Sequence, residues 1–263
     1  MRVVLLALLG WLLNSSCAAT APRWEAGRAG SESEARALLD GSLDAVRGPE
    51  ALRSIEVEYE GEWGFWVRQI QPEITDAGYR QRSRDRLEPG ADRIEQTHTG
   101  EAGVKYVQRE GQETRVQYDG QRDGQREGEG LEVQAAALVA EAYQLFLLGP
   151  RYLDAHESGL RMLESRREDG RTYERLVARL RPGLGDSEED VVELWVDAET
   201  ALPHRVHFTL EGFPSTRGAH ADTTYMHGMR VEGHWFPVEF RERVRGPLRL
   251  FAHEWRTSAL SFD

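Results

Sequence analysis

The side chains in this sequence that could perform chemistry are eight histidines, one cysteine and many carboxylates. Metal binding needs three or four such groups to converge with supporting hydrogen bonds. His204 and His207 would lie on opposite faces of a strand, whereas His227 and His234 could meet across a turn at Val231–Gly233. The sequence has no G-x-S-x-G motif, phosphate loop or dinucleotide fingerprint. We therefore expect no metal, no cofactor and no catalytic residue, although a catalytic carboxylate pair remains an open alternative.

Cys17 is the only cysteine, so no disulfide can form within one chain. It follows Arg2, the apolar run Val3–Leu13 and three small polar residues. A basic start and an apolar run of about 7–15 residues are typical of a secretory signal peptide, and the run is shorter than the roughly 20 residues of a membrane-spanning helix. The stretch Leu13–Cys17 (LNSSC) resembles the lipobox of bacterial lipoproteins, with Asn14 where that motif prefers leucine. The resemblance implies a signal peptide over residues 1–17 and a lipid attached to Cys17, which becomes the new N-terminus.

The N-terminal segment also leaves a second processing route open. Ala19-Thr20-Ala21 is a possible A-x-A cleavage site, although Pro22 directly after it disfavours cleavage there. That route would give a soluble periplasmic or secreted protein. With lipid on Cys17, and Ala18 as the next residue, the expected location is the periplasmic face of the outer membrane.

The composition is acidic, with 33 Lys and Arg residues against 45 Asp and Glu residues. Such a chain lacks the basic footprint of a nucleic-acid-binding protein, so we expect no nucleic-acid partner. Residues 18–30 are rich in Ala, Gly and Arg, which predicts a flexible tether. Residues 31–263 are long enough for one large domain, and we predict a single one.

Two segments have the periodicity of helices. Ser31–Val46 has apolar residues at helical spacing and ends before Gly48-Pro49. Leu131–Leu148 is apolar almost all round at its C-terminal end, so it should be buried.

Strand patterns fill most of the remaining sequence. One long strand begins near Ile55, and its apolar face is predicted to continue through Trp63, Phe65 and Val67. The next strand, Tyr79–Leu87, has four arginines on one face, and a symmetric hairpin would bring only Arg86 close to Glu62. Seven further strands follow Leu148, and their short connections make neighbours antiparallel. We predict an α+β fold with a curved antiparallel sheet and the Leu131–Leu148 helix against its concave face.

Two hairpins resemble those of the lipoprotein-carrier superfamily, which is LolA/LolB-like and includes RseB-like sensors. In Val192–Arg205, a strand ending in Trp-Val-Asp leads through Thr-Ala-Leu-Pro into a returning strand. Gly233–Pro237 has the glycine and proline spacing of the following hairpin. The resemblance implies an unclosed antiparallel barrel around helices, with an apolar cavity for acyl chains. The carrier's ligand-contacting arginine cannot be placed by motif.

The abundant aromatic residues lead to the functional hypothesis. A curved sheet with aromatic side chains and an apolar helix across it can enclose a ligand cavity, although the same residues could form a filled core. We predict a non-enzymatic envelope lipoprotein whose partner is a lipid or lipoprotein acyl chain, with a membrane attachment through its own lipid anchor. The residues expected to line the cavity are Trp63, Phe65, Leu145, Phe146, Trp195, Phe208 and Phe236. The alternatives are a secreted hydrolase with an unrecognised carboxylate or histidine site, and an envelope sensor or scaffold with a filled core.

Overall fold

The computed structural model describes residues 20–122, 124–246 and 249–262. Its main feature is one sheet of thirteen strands in the order β6-β5-β4-β3-β2-β1-β13-β12-β11-β10-β9-β8-β7. All paired neighbours are antiparallel. The strands are β1 (Ile55–Trp63), β2 (Arg82–Glu88), β3 (Arg93–Gly100), β4 (Gly103–Glu110), β5 (Glu113–Gly120), β6 (Gly124–Glu127), β7 (Glu157–Glu168), β8 (Arg171–Leu180), β9 (Asp190–Asp197), β10 (Pro203–Thr209), β11 (His220–Val231), β12 (His234–Arg245) and β13 (Arg249–Phe262).

The chain enters this sheet at its centre and leaves it there. Strands β1 to β6 run outward to one edge. The chain then crosses the inner face through the helix Leu131–Leu148, and β7 to β13 return from the other edge. The last strand then pairs with the first. Strands β6 and β7 stay unpaired with each other, so the sheet is open, as predicted.

Five α-helices accompany the sheet among the described residues: α1 (Glu32–Val46), α2 (Phe65–Ile70), α3 (Pro72–Thr75), α4 (Leu131–Leu148) and α5 (Pro150–His156). Helix α4 has the predicted bounds and contacts β3, β4, β5 and β12. By length and composition it could span a membrane, but most of it is buried inside the protein. Every residue from Ala135 to Leu148 is buried, so protein surrounds this part of the helix and the sheet curves around it. The prediction of a curved antiparallel sheet with this helix in its concavity is confirmed.

The segment predicted as a flexible tether makes specific contacts in its described part. Trp24 lies between the guanidinium groups of Arg161 and Arg179, at 4.3 and 4.5 Å from its ring. The backbone N–H of Arg28 donates to the carbonyl of Met162 at 2.8 Å. Residues 24–28 therefore lie against β7 and β8, because an aromatic ring can stack on the arginines there. The prediction of a free tether is wrong for these residues, while Cys17 and the signal peptide lie outside the described residues.

The first strand is shorter than its apolar pattern predicted. It ends at Trp63, and Phe65 and Val67 belong to α2 instead. The break falls at Gly64, whose N–H donates to the carbonyl of Ala252 at 2.7 Å. A side chain at Gly64 would collide with the carbonyl oxygen of Phe251. The chain thus leaves the sheet where only glycine allows so close an approach of two backbones.

The path through α2 and α3 also changes the register that a symmetric hairpin would give. Arg86 lies opposite Glu56 rather than near Glu62. Arg84 Nη2 donates to the carboxylate of Glu56 at 2.9 Å across the β1–β2 pair. The rows of glutamates and arginines therefore face each other along the strands, and because water screens such exposed pairs they stabilise the sheet little.

Both hairpins that carry the family resemblance form as predicted. Strands β9 and β10 pair around a turn in which Asp197 Oδ1 accepts the N–H groups of Glu199 and Thr200 at 2.9 and 3.0 Å. Strands β11 and β12 pair around Glu232 and Gly233, which both have positive φ. Two central residues with positive φ are typical of the two-residue turns that match the twist of a hairpin.

Candidate functional site

An apolar pocket of about 260 Å³ lies between the inner face of the sheet and helices α2, α3 and α4. It is partly open to solvent and lies near the centre of the sheet, where β1, β13 and β12 are neighbours. Its lining residues are Trp63, Val67, Ile70, Gln71, Ile74, Leu138, Val139, Ala142, Tyr143, Phe146, Leu210, Ser215, Thr216, Ala219, Glu242, Val244, Gly246, Leu250, Ala252 and His253. The pocket thus has mostly hydrocarbon walls, as ligand sites for apolar molecules do.

Helices α2 and α3, together called the cover, form one side of this pocket. Two buried basic side chains, Arg80 just before β2 and Lys105 of β4, hold the cover at its C-terminal end. Arg80 Nη1 donates to the carbonyl of Ile74 at 2.8 Å, and Lys105 Nζ lies 2.7 Å from Asp76 Oδ2. A second contact lies at Gln71, the residue between α2 and α3, where Ser215 Oγ donates to Gln71 Oε1 at 2.5 Å. The cover is therefore tied on two sides by side chains rather than by backbone pairing.

The wall opposite the cover has a polar row across three neighbouring strands. Trp63 of β1 lies opposite His253 of β13, which lies opposite Glu242 of β12. The rings of Trp63 and His253 are 4.3 Å apart, and His253 Nδ1 lies 2.7 Å from Glu242 Oε2. Tyr143 of α4 reaches the same row, with its hydroxyl 3.3 Å from His253 Nε2. The carboxylate of Glu242 is thus a polar group in the wall of an otherwise mostly apolar pocket.

The protonation of His253 follows from its partners. A carboxylate only accepts hydrogen bonds, so we assign the proton of neutral His253 to Nδ1, which lies 2.7 Å from Glu242 Oε2. Burial lowers the pKa of His253, with Arg80 acting in the same direction and Glu242 opposing it. The imidazole is therefore neutral at pH 7, and its Nε2 accepts from Tyr143. Tyr143 in turn accepts from Arg80 Nη2 at 3.1 Å.

The structure brings two of the seven predicted cavity residues to the pocket. Trp63 and Phe146 line it. Leu145, Phe208 and Phe236 are fully buried in the packed core instead. Phe208 packs on Phe146 with ring centroids 5.6 Å apart, and Phe236 packs on Phe262 at 5.2 Å. The prediction that these three line the cavity is wrong, because neighbouring side chains fill the space around them.

Phe65 and Trp195 lie away from the cavity altogether. Phe65 is on α2 and 66% exposed, since the strand on which it was predicted to lie ends at Trp63. Trp195 points to the outer face of β9, between Arg175 and Arg205 at 4.9 and 4.6 Å. Alternation along a strand separates its two faces but does not say which face is inner. Both residues therefore contradict the predicted cavity set.

The histidines do not assemble in the way the turn at Val231–Gly233 allowed. His227 is exposed and contacts Glu239, whereas His234 is buried and accepts the N–H of Gly48. The close pair is His207 and His220 on the outer face, with Nε2 and Nδ1 2.6 Å apart. Across residues 20–122, 124–246 and 249–262, no three His, Cys, Asp or Glu side chains converge as a metal site.

The sequence contained one signal for a pocket residue that the aromatic pattern missed. Phe236, Val238 and Phe240 alternate on one face, and the next residue of that series is Glu242. A carboxylate in line with apolar inward positions marks a buried polar site. His253 had no such local signal, because the register of β12 and β13 alone brings it beside Glu242.

No protein-family model matches this sequence, and no curated protein matches it. Solved structures do match in fold. A DUF1329 family protein from Desulfovibrio piger ATCC 29098 has a TM-score of 0.52 at 12% identity, over 87% of this chain and 93% of that chain. The LolA superfamily protein NE2245 from Nitrosomonas europaea has a TM-score of 0.49 at 13% identity, over 87% and 93%. A putative outer membrane lipoprotein-sorting protein domain from Vibrio parahaemolyticus has a TM-score of 0.49 at 10% identity, over 89% and 94%.

These likenesses concern the fold alone, because all three identities are far below 25%. At that level the predicted architecture, an unclosed antiparallel sheet around helices, is confirmed by the sheet order and by its likeness to the DUF1329 family protein.

Proposed function

We propose that this protein is a non-enzymatic envelope lipoprotein that binds an apolar ligand, such as an acyl chain, in the pocket beneath the cover. The observation that supports this proposal is the pocket itself, a space of about 260 Å³ walled by side chains such as Val67, Ile70, Leu138 and Phe146. Apolar burial is favourable by roughly 25 cal/mol per Å². Hydrocarbon can therefore bind there without polar chemistry.

The size of the pocket limits what fits without movement. It is larger than the cavity of about 150 Å³ that binds benzene in an engineered protein, and slightly smaller than the pockets of about 300–1,000 Å³ that hold drug-sized ligands. A short chain, or part of a longer one, fits as the pocket stands. A longer acyl chain requires the cover to move outward, and the contact between Gln71 and Ser215 is the tie that must open.

The polar row argues against the hydrolase alternative. Glu242 and His253 are adjacent, but the hydroxyl that meets His253 Nε2 belongs to Tyr143. Burial raises the pKa of Tyr143 well above its usual value, so its oxygen is a poor nucleophile. Ser215 donates its proton to Gln71 rather than to a base. The arrangement therefore favours a binding site over a catalytic one.

The N-terminal sequence supports the envelope part of the proposal. The basic and apolar start followed by Cys17 resembles that of an exported lipoprotein. Lipid on Cys17 would hold the protein at the periplasmic face of the outer membrane, since several acyl chains anchor stably where one is marginal. The proposed partners are thus a membrane, through the anchor, and a lipid or lipoprotein acyl chain, through the pocket.

The direct test is to identify what the protein contains when it is purified from its own envelope. Native mass spectrometry followed by lipid extraction should show an apolar ligand bound to the full-length protein. The delipidated protein should bind the neutral apolar probe N-phenyl-1-naphthylamine with a rise in fluorescence. Absence of both co-purified lipid and probe binding would overturn the proposal and favour the sensor or scaffold alternative.

A pocket-filling variant assigns the binding to this cavity. A Cβ at Gly246 would meet only Ala219 Cβ, at 3.8 Å, so Gly246→Leu adds a side chain at the pocket wall without a clash at Cβ. It should weaken probe binding about tenfold, because it removes apolar contact area. Gly41→Leu is the matched control, since Gly41 is exposed on α1 with open space around it. Equal binding by both variants would place the probe elsewhere.

A further inference from the structure

The pocket has one carboxylate in a mostly apolar wall. Among the described residues that line it, Glu242 is the one with an acidic side chain. That side chain is 10% exposed, and Glu242 shares the inner face of β12 with Phe240 and Val244. Its accessible atoms therefore face the space that a ligand would occupy.

Among the described residues, Glu242 has His253 as its ion-pair partner and no lysine or arginine, so its carboxylate is uncompensated on the pocket side. His253 is neutral and already places its only N–H beside Glu242. The nearest cation of the polar row is Arg80, which donates to the hydroxyl of Tyr143 rather than to Glu242. Tyr143 and His253 lie between Arg80 and the carboxylate. A ligand in the pocket consequently meets a hydrogen-bond acceptor with a negative charge.

We infer that the ligand's polar group is a hydrogen-bond donor without negative charge, such as a hydroxyl, an amide N–H or an ammonium, and that it binds the carboxylate of Glu242 while hydrocarbon fills the pocket. This inference rests on the proposed function and names its ligand class. A hydrogen bond to a charged group is stronger than one between neutral groups. A fatty carboxylate would instead bring a second negative charge close to Glu242 in a site of low dielectric constant.

The test compares ligands with one chain length and different polar ends. Decanol, decylamine and decanoate compete with N-phenyl-1-naphthylamine for delipidated full-length protein at pH 8. Decanol and decylamine should bind about tenfold more tightly than decanoate. Glu242→Gln should reduce that difference to about twofold or less, because the amide has no charge. The matched control is Glu254→Gln, since Glu254 lies next to His253 on the same strand but pairs with Arg241 on the outer face.

Each outcome separates this inference from the proposed function. Decanoate binding as tightly as decanol to the unmodified protein would overturn the inference while leaving the pocket's function intact. A preference that survives Glu242→Gln would also overturn it. Failure of all three ligands to displace a bound probe would instead contradict the proposed function. If Glu242→Gln does not fold, decanoate binding as tightly as decanol to the unmodified protein still overturns the inference.

Discussion

Lys105 Nζ lies 2.7 Å from Asp76 Oδ2 and is buried beneath the end of the cover, where Asp76 has a left-handed backbone conformation. Burial lowers the pKa of Lys105, and the Asp76 carboxylate opposes that shift. The hydroxyl of Tyr118 donates to the same carboxylate oxygen at 3.2 Å. The cover is thus attached to β4 and β5 through one carboxylate.

Replacing that lysine should destabilise the protein. Lys105→Met leaves Asp76 without its cation, and we expect the free energy of unfolding to fall by about 1–3 kcal/mol, because Asp76 keeps Tyr118 and some contact with water. Urea denaturation measures the change. Arg115→Met, on the exposed face of β5, is the control. Equal unfolding free energies for the two variants would show that the Lys105 contact contributes nothing.

The contact between Gln71 of the cover and Ser215 should control how fast a ligand enters and leaves the pocket. Gln71→Ala removes both hydrogen bonds to Ser215, one to its carbonyl at 3.2 Å and one from its hydroxyl. The probe should then dissociate about two- to tenfold faster, because opening the cover no longer requires those two hydrogen bonds to break. Stopped-flow fluorescence gives the rate. Gln121→Ala, at an exposed turn, should leave it unchanged. An unaltered rate in Gln71→Ala would mean that ligands enter by another path.

Asp85, on the inner face of β2, should make the stability of the protein depend on pH. Burial raises the pKa of Asp85 to about 6, although Ser83, Gln96 and Arg80 favour its ionised form. The folded state therefore holds a proton between pH 3.8 and about 6 that the unfolded state has released. Because the folded state binds more protons in that window, the stability contribution of Asp85 falls as pH rises.

Asp85→Asn tests this dependence. The amide remains uncharged, so unmodified protein should lose about 2–3 kcal/mol of stability relative to the variant as pH rises from 4 to 7. Urea denaturation at several pH values measures the difference. Asp119→Asn, at an exposed position on β5, should show no such trend. A constant difference between unmodified protein and Asp85→Asn would contradict the assignment.

Membrane attachment should depend on Cys17. Cys17→Ala removes the thiol that would receive the lipid, so the protein should move to the soluble fraction or remain unprocessed. Fractionation of the envelope and the mass of the mature N-terminus measure both effects. Unchanged membrane fractionation would exclude the proposed anchor.

Local patterns in the sequence predicted the parts of this fold that local forces determine. The bounds of α4 followed from an apolar run that ends at Gly149-Pro150, and the β9–β10 hairpin followed from its turn residues. Elements whose ends depend on distant contacts were missed. Trp63, Phe65 and Val67 alternate as in a strand, yet the strand ends because the backbone of Gly64 packs on β13.

The candidate site was harder to predict for the same reason. Glu242 and His253 become neighbours only through the pairing of β12 with β13, which shifts by one residue beside Ala252. That irregularity also leaves the Ala252 carbonyl free to accept from Gly64. Trp195 illustrates a second limit of prediction from sequence. Alternation separates the two faces of a strand without saying which face meets the core, and Trp195 lies against Arg205 instead.

The pairing of β1 with β13 has a consequence for how the protein is made. Ser258 donates to the carbonyl of Glu58, a contact that spans 200 positions of the chain. Strands β1 to β6 can pair as local hairpins during synthesis, but the middle of the sheet must wait for the last strand. Such long-range pairing slows folding, since a long loop must close before its contacts form. A chain that ends before β13 would therefore lose the centre of its sheet rather than an edge, leaving two exposed half-sheets that are prone to aggregation.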